Sequence, residues 1–201
     1  MCSIIAYKGI FDSELVMNLL KHSRIRGLHA FGYSFAESNE LITKKFLCYD
    51  EFCKSIMLDS PDSFIAHFRY STSGDYKLHA NNQPIVKKGV AMVFNGVIDM
   101  RTKQEMENAY CLEMETDNDG EIALLERIKS KESVLKFIEN KTFAGAFLHE
   151  DGTIEILRNN KRPCHIGKHM NAKIVASTKD ILNRASIDVT SIVDENKLVN
   201  L

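Results

Sequence analysis

Short β-prone segments occur in neighbouring pairs along this chain, and that arrangement restricts its fold more than any other feature of the sequence. Segments 31–35 and 41–47 flank a polar turn, and segments 144–149 and 153–157 flank an Asp-Gly dipeptide, which is typical of hairpins. Amphipathic helical segments also cluster with one another instead of alternating with single strands. Paired strands and clustered helices predict an α+β fold, not a regular β-α-β succession.

The remaining elements follow from apolar periodicity, and one long irregular stretch lies among them. Residues 71–84 lack a clear period and are rich in Ser, Asn and Gly, so we expect a long loop over a site. Asn118 and Glu121 are three residues apart, as in a capping box at a helix start, and Ser177 and Asp180 repeat that spacing. The periodicity predicts helices at 12–24, 49–57, 120–129, 133–140 and 178–184, and strands at 2–7, 63–70, 90–94 and 173–176.

Composition limits the possible classes of function. The 201 residues suit one domain spanning 1–201, and the net charge of -1 gives no reason to expect nucleic acid or a membrane surface as a partner. No apolar run approaches the ~18 residues of a membrane helix, and the N-terminus does not resemble a secretory signal. Five cysteines at irregular spacing argue against a disulfide framework and for the cytoplasm. No cysteine–histidine cluster is complete enough to predict a metal site.

Cys2 is the strongest candidate for a nucleophile. A small residue at position two normally allows removal of Met1, and removal would give Cys2 a free α-amine. Such an amine has an ordinary pKa of about 7.7–8.0 and a thiol one of about 8.5, so the amine can accept the thiol proton. Taken alone, an initial Met-Cys is more often accidental than catalytic.

The rest of the sequence strengthens the case for Cys2, because five motifs follow the opening MCSIIAYKG. They are RGLHAFG at 26–32, HFRYSTSG at 67–74, NNQP at 81–84, FNGVI at 94–98 and NDGEI at 118–122. In this order and at this spacing they resemble the class II glutamine amidotransferases, a family of glutaminase domains with an N-terminal cysteine nucleophile. The resemblance covers nearly the whole chain.

The resemblance assigns roles to Arg26 and to two residues near the start of the predicted loop. It implies that Arg26 orders the active site through hydrogen bonds, that Arg69 binds the α-carboxylate of glutamine, and that Thr72 lines the loop beside Arg69. A guanidinium suits a carboxylate because its planar fork makes two charge-assisted hydrogen bonds to it. Without that context Arg69 would be a surface ion-pair residue, and Arg26 would belong to a basic helix end.

Two further motifs carry the predicted groups that stabilise charge. The resemblance implies that the Asn95 side-chain amide and the Gly96 backbone N–H form an oxyanion hole. The Asn-Gly dipeptide alone predicts a tight turn after the preceding strand. The resemblance also implies that Asp119 binds the α-ammonium of glutamine. Asp117 stays an alternative, because the motif also aligns there with a shift of two residues.

The resemblance implies the N-terminal-nucleophile hydrolase fold, a four-layer αββα sandwich of two antiparallel sheets. The implied reaction is hydrolysis of L-glutamine to glutamate and ammonia through a γ-glutamyl thioester on Cys2, without a metal or an organic cofactor. The family normally passes its ammonia to a synthase domain, and the sequence ends soon after the last motif, so we expect a separate acceptor protein. Two alternatives stay open: an amidohydrolase of the same fold that acts on another γ-glutamyl or amide compound, and a catalytically silent binding or regulatory subunit.

Three positions depart from the family pattern. Ser3 stands in place of the usual Gly after the nucleophile, His29 in place of the usual Asp, and Cys164 in place of a usual Leu. None of the three positions has a direct chemical role in the family. We expect His29 to weaken a buried polar contact around Arg26.

Overall fold

Over residues 1–71 and 74–201, which the computed structural model describes, the chain forms twelve strands and six α-helices. The helices are α1 (Ser13–Arg24), α2 (Tyr49–Asp59), α3 (Lys103–Tyr110), α4 (Gly120–Lys129), α5 (Lys131–Ile138) and α6 (Lys179–Arg184). The strands are β1 (Ser3–Lys8), β2 (Ala30–Glu37), β3 (Glu40–Phe46), β4 (Ser63–Arg69), β5 (Ile85–Lys87), β6 (Val90–Val97), β7 (Thr142–His149), β8 (Ile154–Arg158), β9 (His165–His169), β10 (Ala172–Ala176), β11 (Asp188–Ile192) and β12 (Val199–Asn200).

The strands form two sheets in which neighbouring strands run antiparallel. The first sheet has the order β11-β9-β10-β1-β4-β2-β3, and the second has the order β12-β8-β7-β6-β5. Strand β1 lies in the middle of the first sheet and pairs with β4 along its whole length, from Ser3 opposite Phe68 to Lys8 opposite Ser63. In the second sheet, strand β6 pairs with β7 along its whole length, from Val90 opposite His149 to Val97 opposite Thr142. The chain therefore places the segment after Cys2 at the centre of a sheet.

Three apolar clusters show how the layers stack. Residues such as Ile5 and Tyr7 of β1 pack with α1, α2 and α6 on the outer face of the first sheet. The inward-facing residues Ile4 and Ala6 of the same strand pack with β6, β7 and β8 between the sheets. Helices α4 and α5 pack on the outer face of the second sheet. The order helix, sheet, sheet, helix confirms the predicted αββα sandwich.

Alternation along the strands directs three of the predicted site residues into the same layer. Side chains two apart on a strand share a face. Cys2 precedes the inward-facing Ile4 by two residues, and Arg69 follows the inward-facing Ile65 by four. Asn95 likewise follows the inward-facing Val93 by two residues on β6. The period of two thus places Cys2, Arg69 and Asn95 on the faces where the two sheets meet.

The expectation of a tight turn at Asn95-Gly96 is wrong. Strand β6 continues through both residues to Val97, with Asn95 opposite Ala144 and Gly96 opposite Phe143. A Cβ at Gly96 would lie 1.8 Å from the Thr142 carbonyl oxygen, so glycine is needed here for a close approach between neighbouring strands. The Asn-Gly dipeptide therefore lies where two strands approach each other closely inside a sheet, and the chain does not turn there.

The two predicted capping arrangements are also wrong. The Glu121 carboxylate accepts from the backbone N–H groups of Glu115 and Thr116, each at 2.8 Å, instead of capping its own helix. Ser177 Oγ accepts from the Ile4 N–H at 2.9 Å and so ties the start of α6 to β1. The Glu121 carboxylate thus binds the segment just before its helix, and Ser177 binds a strand at the other end of the chain.

Some elements lack a clear signal in the sequence. Helix α3 buries only Met106, so its apolar periodicity is weak, and β5 and β12 are very short. The hairpin at Asp151-Gly152 is confirmed: Gly152 has a φ of 78°, and β7 pairs with β8. None of the described helices is both long and apolar enough to cross a membrane.

Candidate active site

Cys2 lies just before β1, with its thiol against the main chain of Tyr70. Its Sγ donates to the Tyr70 carbonyl oxygen at 3.5 Å and accepts from the Tyr70 N–H at 3.4 Å. Burial raises the pKa of the Cys2 thiol, and the Tyr70 N–H and the positive charges of the N-terminus and Arg69 offset only part of this effect. With Met1 attached, the Cys2 nitrogen is a peptide nitrogen and not a base. The thiol is therefore neutral at pH 7 in this state.

Arg26 and Gly27 hold the main chain around Cys2. Arg26 Nε donates to the Cys2 carbonyl oxygen at 3.2 Å. A Cβ at Gly27 would lie 2.2 Å from the Phe68 carbonyl oxygen, so glycine allows the segment before β2 to approach the end of β4. The Arg-Gly pair thus links the segment before β2 to both Cys2 and β4.

Arg69 ends β4, and its side chain is only 3% exposed. Its Nη1 donates to the Asn81 carbonyl oxygen at 2.7 Å and to Asn82 Oδ1 at 2.5 Å, and Nη2 donates to the Gly74 carbonyl oxygen at 3.1 Å. Burial lowers the pKa of Arg69, and the nearby Cys2 and Asp119 oppose that shift. Arginine keeps its charge in proteins, and here the guanidinium also holds residues near both ends of the loop together. The predicted loop residue Thr72 lies outside the described residues.

Asp119 stands immediately before α4 and is 5% exposed. Its Oδ2 accepts from the backbone N–H of Ile98 at 2.7 Å and of Asp99 at 3.1 Å, both just beyond β6. Burial raises the pKa of the Asp119 carboxyl, and hydrogen bonds from the main chain oppose that rise. The alternative, Asp117, is exposed, and its Oδ2 accepts from Asn81 Nδ2 at 3.1 Å. The two carboxylates thus have different environments although they are two residues apart.

Asn95 carries an amide donor without a partner among the described residues. Its side chain is 3% exposed, and its Nδ2 is buried with no hydrogen bond to any described residue. Buried amides in folded proteins are nearly always paired, so an open donor points to a partner outside the protein chain. The neighbouring Gly96 lines the same space as Cys2.

One small cavity brings four of the predicted site residues together, while Asn95 and Arg26 lie outside its lining. It has a volume of about 20 Å³ and is lined by Cys2, Arg69, Gly96 and Asp119, together with Tyr70, Gln83, Phe94 and Asn118. A volume of this size holds about one water molecule. The cavity therefore combines a thiol, a buried cation and a buried carboxylate in one small space. Among the described residues, no three His, Cys, Asp or Glu side chains are grouped to hold a metal ion.

Asn118 lines the cavity, and Asn81 and Asn82 hold Arg69 beside it, although the sequence predicted a role at the site for none of the three. Asn82 accepts from Arg69 and donates through Nδ2 to the Tyr76 carbonyl oxygen at 2.7 Å. Asn118 Nδ2 donates to the Asn81 carbonyl oxygen at 2.9 Å. Gln83 of the same motif accepts from the Phe94 N–H at 2.6 Å and is structural. The NNQP motif was the available signal, because it is polar and yet lies next to a buried strand.

The comparisons with known proteins agree with this architecture. No protein-family model matches the sequence, and no curated protein is significantly similar to it. The glutamine phosphoribosylpyrophosphate amidotransferase of B. subtilis, solved with ADP and GMP, superimposes with a TM-score of 0.79 at 18% identity and covers 99% of this chain. The chain has the fold of a class II glutamine amidotransferase domain.

Two more solved structures share this amidotransferase fold. An allosteric regulatory enzyme of purine biosynthesis matches with a TM-score of 0.78 at 20% identity over 99% of this chain. A glutamine aminotransferase class-II domain protein from Silicibacter pomeroyi matches with a TM-score of 0.65 at 12% identity, over 99% of this chain and 94% of its own. The chain spans only 47% and 46% of the first two structures, about half their length.

Proposed function

We propose that this protein hydrolyses the side-chain amide of L-glutamine to glutamate and ammonia. The observation that carries the proposal is the shared cavity of Cys2, Arg69 and Asp119. An amino-acid head group carries a carboxylate and an ammonium, and a buried cation and a buried anion beside one nucleophile fit that pair of charges. The fold that the chain shares with glutamine-using enzymes supports the same reaction.

The two charged residues would bind the carboxylate and the ammonium on the α-carbon of glutamine. Arg69 binds the carboxylate, and Asp119 binds the ammonium. We assign the ammonium to Asp119 and not to Asp117, because Asp119 is buried at the cavity while Asp117 is exposed. Thr72 contributes to the loop beside the carboxylate, and Arg26 holds the Cys2 main chain in place.

The chemistry would begin once Met1 has been removed. The new Cys2 α-amine takes the thiol proton, and the thiolate forms a bond to the side-chain carbonyl carbon of glutamine. The negative oxygen accepts hydrogen bonds from Asn95 Nδ2 and the Gly96 N–H. The amine then gives its proton to the leaving nitrogen, the C–N bond breaks, and ammonia departs. Water adds to the γ-glutamyl thioester, which releases glutamate and restores the thiol.

We further propose that residues 1–201 form one glutaminase domain that delivers ammonia to a separate acceptor protein in the cytoplasm. The motivation is that the matching part makes up only 47% of the B. subtilis amidotransferase, which has a further part beside this fold. All five cysteines are free, which suits a reducing compartment. Pull-down of a partner that stimulates glutamine hydrolysis would support the acceptor, and unchanged turnover with every co-purifying protein would argue against it.

The test of the proposed reaction is covalent labelling with 6-diazo-5-oxonorleucine, an electrophile shaped like glutamine. We expect the purified protein to lack Met1 and to gain one adduct by intact mass. The variant Cys2→Ala should gain none, while Cys48→Ala, which removes an exposed free cysteine, should label like the wild type.

Each other outcome selects a different function. A protein that keeps Met1, or whose Cys2 reacts with neither the glutamine analogue nor general thiol reagents, would favour the catalytically silent subunit. A protein that loses Met1 and reacts with general thiol reagents at Cys2, but not with the glutamine analogue, would favour an amidohydrolase for another γ-glutamyl or amide compound. A panel of such compounds would then identify the substrate class.

A further inference from the structure

The loop that follows β6 holds the carboxylate of Asp119. Ile98 and Asp99 come directly after β6, and their backbone N–H groups donate to Asp119 Oδ2 at 2.7 and 3.1 Å. Both donors belong to a loop and not to a strand or a helix, so no regular ladder of hydrogen bonds fixes their direction. The orientation of the Asp119 carboxylate therefore depends on what holds this loop in place.

The side chain of Asp99 closes the loop upon itself. Its Oδ1 accepts from the Arg101 backbone N–H and from Arg101 Nε, each at 3.0 Å, and its Oδ2 accepts from Arg101 Nη2 at 2.6 Å. These bonds, above all those from the Arg101 side chain, hold the pKa of Asp99 well below its usual range. The carboxylate is only 9% exposed and is charged at neutral pH, so it is a strong acceptor at a fixed point of the loop.

Tyr110 fastens Asp99 to the rest of the molecule. Tyr110 is the last residue of α3, and its hydroxyl donates to Asp99 Oδ2 at 2.8 Å. The same hydroxyl accepts from Nζ of Lys141, just before β7, at 2.9 Å. The Tyr110 ring packs edge-on against Phe137 of α5, with ring centroids 5.6 Å apart. The hydroxyl thus ties the loop to α3 and, through Lys141, to the start of β7.

We propose that Tyr110 is a positioning residue for the ammonium of glutamine, because through Asp99 it holds the N–H groups that orient the Asp119 carboxylate. The inference rests on the proposed function, in which Asp119 binds that ammonium. Tyr110 itself does not line the cavity at Cys2. Without its hydroxyl the loop moves more freely, the Asp119 carboxylate samples more orientations, and the ammonium binds less tightly. The reaction at Cys2 is unaffected once glutamine is bound.

Tyr110→Phe is the sharpest test of this role. It removes one hydroxyl, keeps the ring against Phe137 and changes no charge. A change at Asp99 is less clean, because the negative charge of Asp99 itself raises the pKa of the Asp119 carboxyl. The matched control is Tyr7→Phe, which removes the hydroxyl that donates to the Ile10 carbonyl oxygen at 2.6 Å, at the far end of β1.

The first measurement needs no glutamine. Hydrogen exchange of the Ile98 and Asp99 amides, followed by nuclear magnetic resonance, reports how often the loop leaves Asp119. In Tyr110→Phe we expect the protection of both amides to fall by about 2- to 12-fold, as for the loss of one hydrogen bond. In Tyr7→Phe their protection should equal that of the wild type. Wild-type protection of both amides in Tyr110→Phe would overturn the proposal.

The second measurement asks whether Tyr110 acts through Asp119. Tyr110→Phe should raise the KM for glutamine by about 2- to 12-fold at constant kcat. In an Asp119→Asn background the same substitution should leave KM within about two-fold, because no negative charge is left to orient and the two effects are then not additive. A general loss of folded protein would lower apparent kcat and leave KM unchanged. Equal increases in KM in both backgrounds, or a loss of kcat at constant KM, would overturn the proposal.

A second variant keeps the test decisive if Tyr110→Phe fails to fold. Asp99→Ala retains the backbone N–H groups that bind Asp119 but removes the acceptor for Tyr110 and Arg101, so the Ile98 amide should lose its protection. Unchanged protection of Ile98 in that variant would overturn the proposal.

Failure of this inference and failure of the proposed function are distinguishable. If the amides behave as expected but glutamine is not hydrolysed, the proposed function fails and the anchoring of Asp119 by Tyr110 stands. If glutamine is hydrolysed but neither the amides nor KM respond to Tyr110→Phe, the function stands and the role of Tyr110 fails.

Discussion

The two ends of β1 border cavities of very different size and chemistry. At the end near Cys2 the cavity measures about 20 Å³ and is lined by Arg69 and Asp119 as well as the thiol. At the other end a cavity of about 390 Å³ is lined by Tyr7, His169 and neighbouring residues. The larger cavity therefore has the weaker set of reactive side chains.

The difference lies in what the polar groups are bonded to. At the larger cavity the Tyr7 hydroxyl donates to the Ile10 carbonyl oxygen at 2.6 Å, and Asp12 caps α1 by accepting from the Leu15 N–H at 3.0 Å. Next to Gly96, which lines the smaller cavity, Asn95 keeps a buried amide without a partner among the described residues. The size of a cavity depends on how loosely the surface packs. Buried polar groups without a partner are the better indication of where a ligand binds.

The largest expected effect comes from removing the nucleophile at the small cavity. Cys2→Ala should lower glutamine turnover by about 10⁴- to 10⁶-fold, because the thioester cannot form without the thiol. His169→Ala, at the large cavity, should leave turnover within about two-fold of the wild type and serves as the matched control. Ammonia release by the processed protein measures both. A large loss from His169→Ala would reverse the comparison between the two cavities.

The second effect tests whether the open amide of Asn95 serves the reaction. Asn95→Ala should lower kcat by about 10²- to 10³-fold with little change in KM, because an oxyanion donor acts mainly in the transition state. It should lower the free energy of unfolding by less than about 1 kcal/mol, because its Nδ2 makes no hydrogen bond to any described residue.

Asn159→Ala is the control for Asn95→Ala. The Asn159 side chain donates to the carbonyl oxygens of Ile138 and Lys141 and accepts from the N–H groups of Phe143 and Lys161. This variant should be less stable by about 1–3 kcal/mol or more in urea denaturation. If Asn95→Ala proved equally destabilising while kcat stayed normal, Asn95 would be a structural residue.

A smaller effect separates the two aspartates. Asp119→Asn should raise the KM for glutamine by about 10- to 100-fold, the range expected from losing a hydrogen bond to a charged group. Asp117→Asn should change KM by less than about three-fold, since its carboxylate is exposed and bonded to Asn81. Steady-state kinetics of both variants would settle the assignment, and a larger effect from Asp117→Asn would transfer the ammonium site to that residue.

The smallest expected effect is one on stability, and it arises at His67. Burial, with a smaller contribution from the Arg69 charge, lowers the pKa of His67 to about 3. An unfolded chain binds this proton near pH ~6.5, so between about pH 6.5 and 3 the unfolded state binds more protons than the folded state. Stability from this group is therefore present above about pH 6.5 and is lost as the pH falls.

The variant His67→Gln removes this titration. Between about pH 7 and 4.5 the wild type should lose about 2–3 kcal/mol more free energy of unfolding than the variant, as measured by urea denaturation at both pH values. Equal losses in the two proteins would mean that His67 takes up its proton in the folded state.

Much of the fold could be predicted from the sequence because its signals are local. The polar turn before segment 41–47 and the Asp151-Gly152 dipeptide predicted two neighbouring strand pairs, which are present as β2–β3 and β7–β8. Edge elements such as β5 and β11, and the polar helix α3, were missed. These elements have few buried residues, so their periodicity is weak.

By itself the sequence predicted an α+β fold, and its resemblance to a known family implied the αββα arrangement and the candidate groups Cys2, Arg69 and Asn95. Only the tertiary structure decided which of Asp117 and Asp119 borders the cavity, why Gly96 is a glycine, and what His29 contacts. Each of these depends on a partner far away in the chain: Ile98 for Asp119, Thr142 for Gly96 and Ser71 for His29. Local spacing cannot specify such partners, because their positions are set by how the two sheets and their loops pack together.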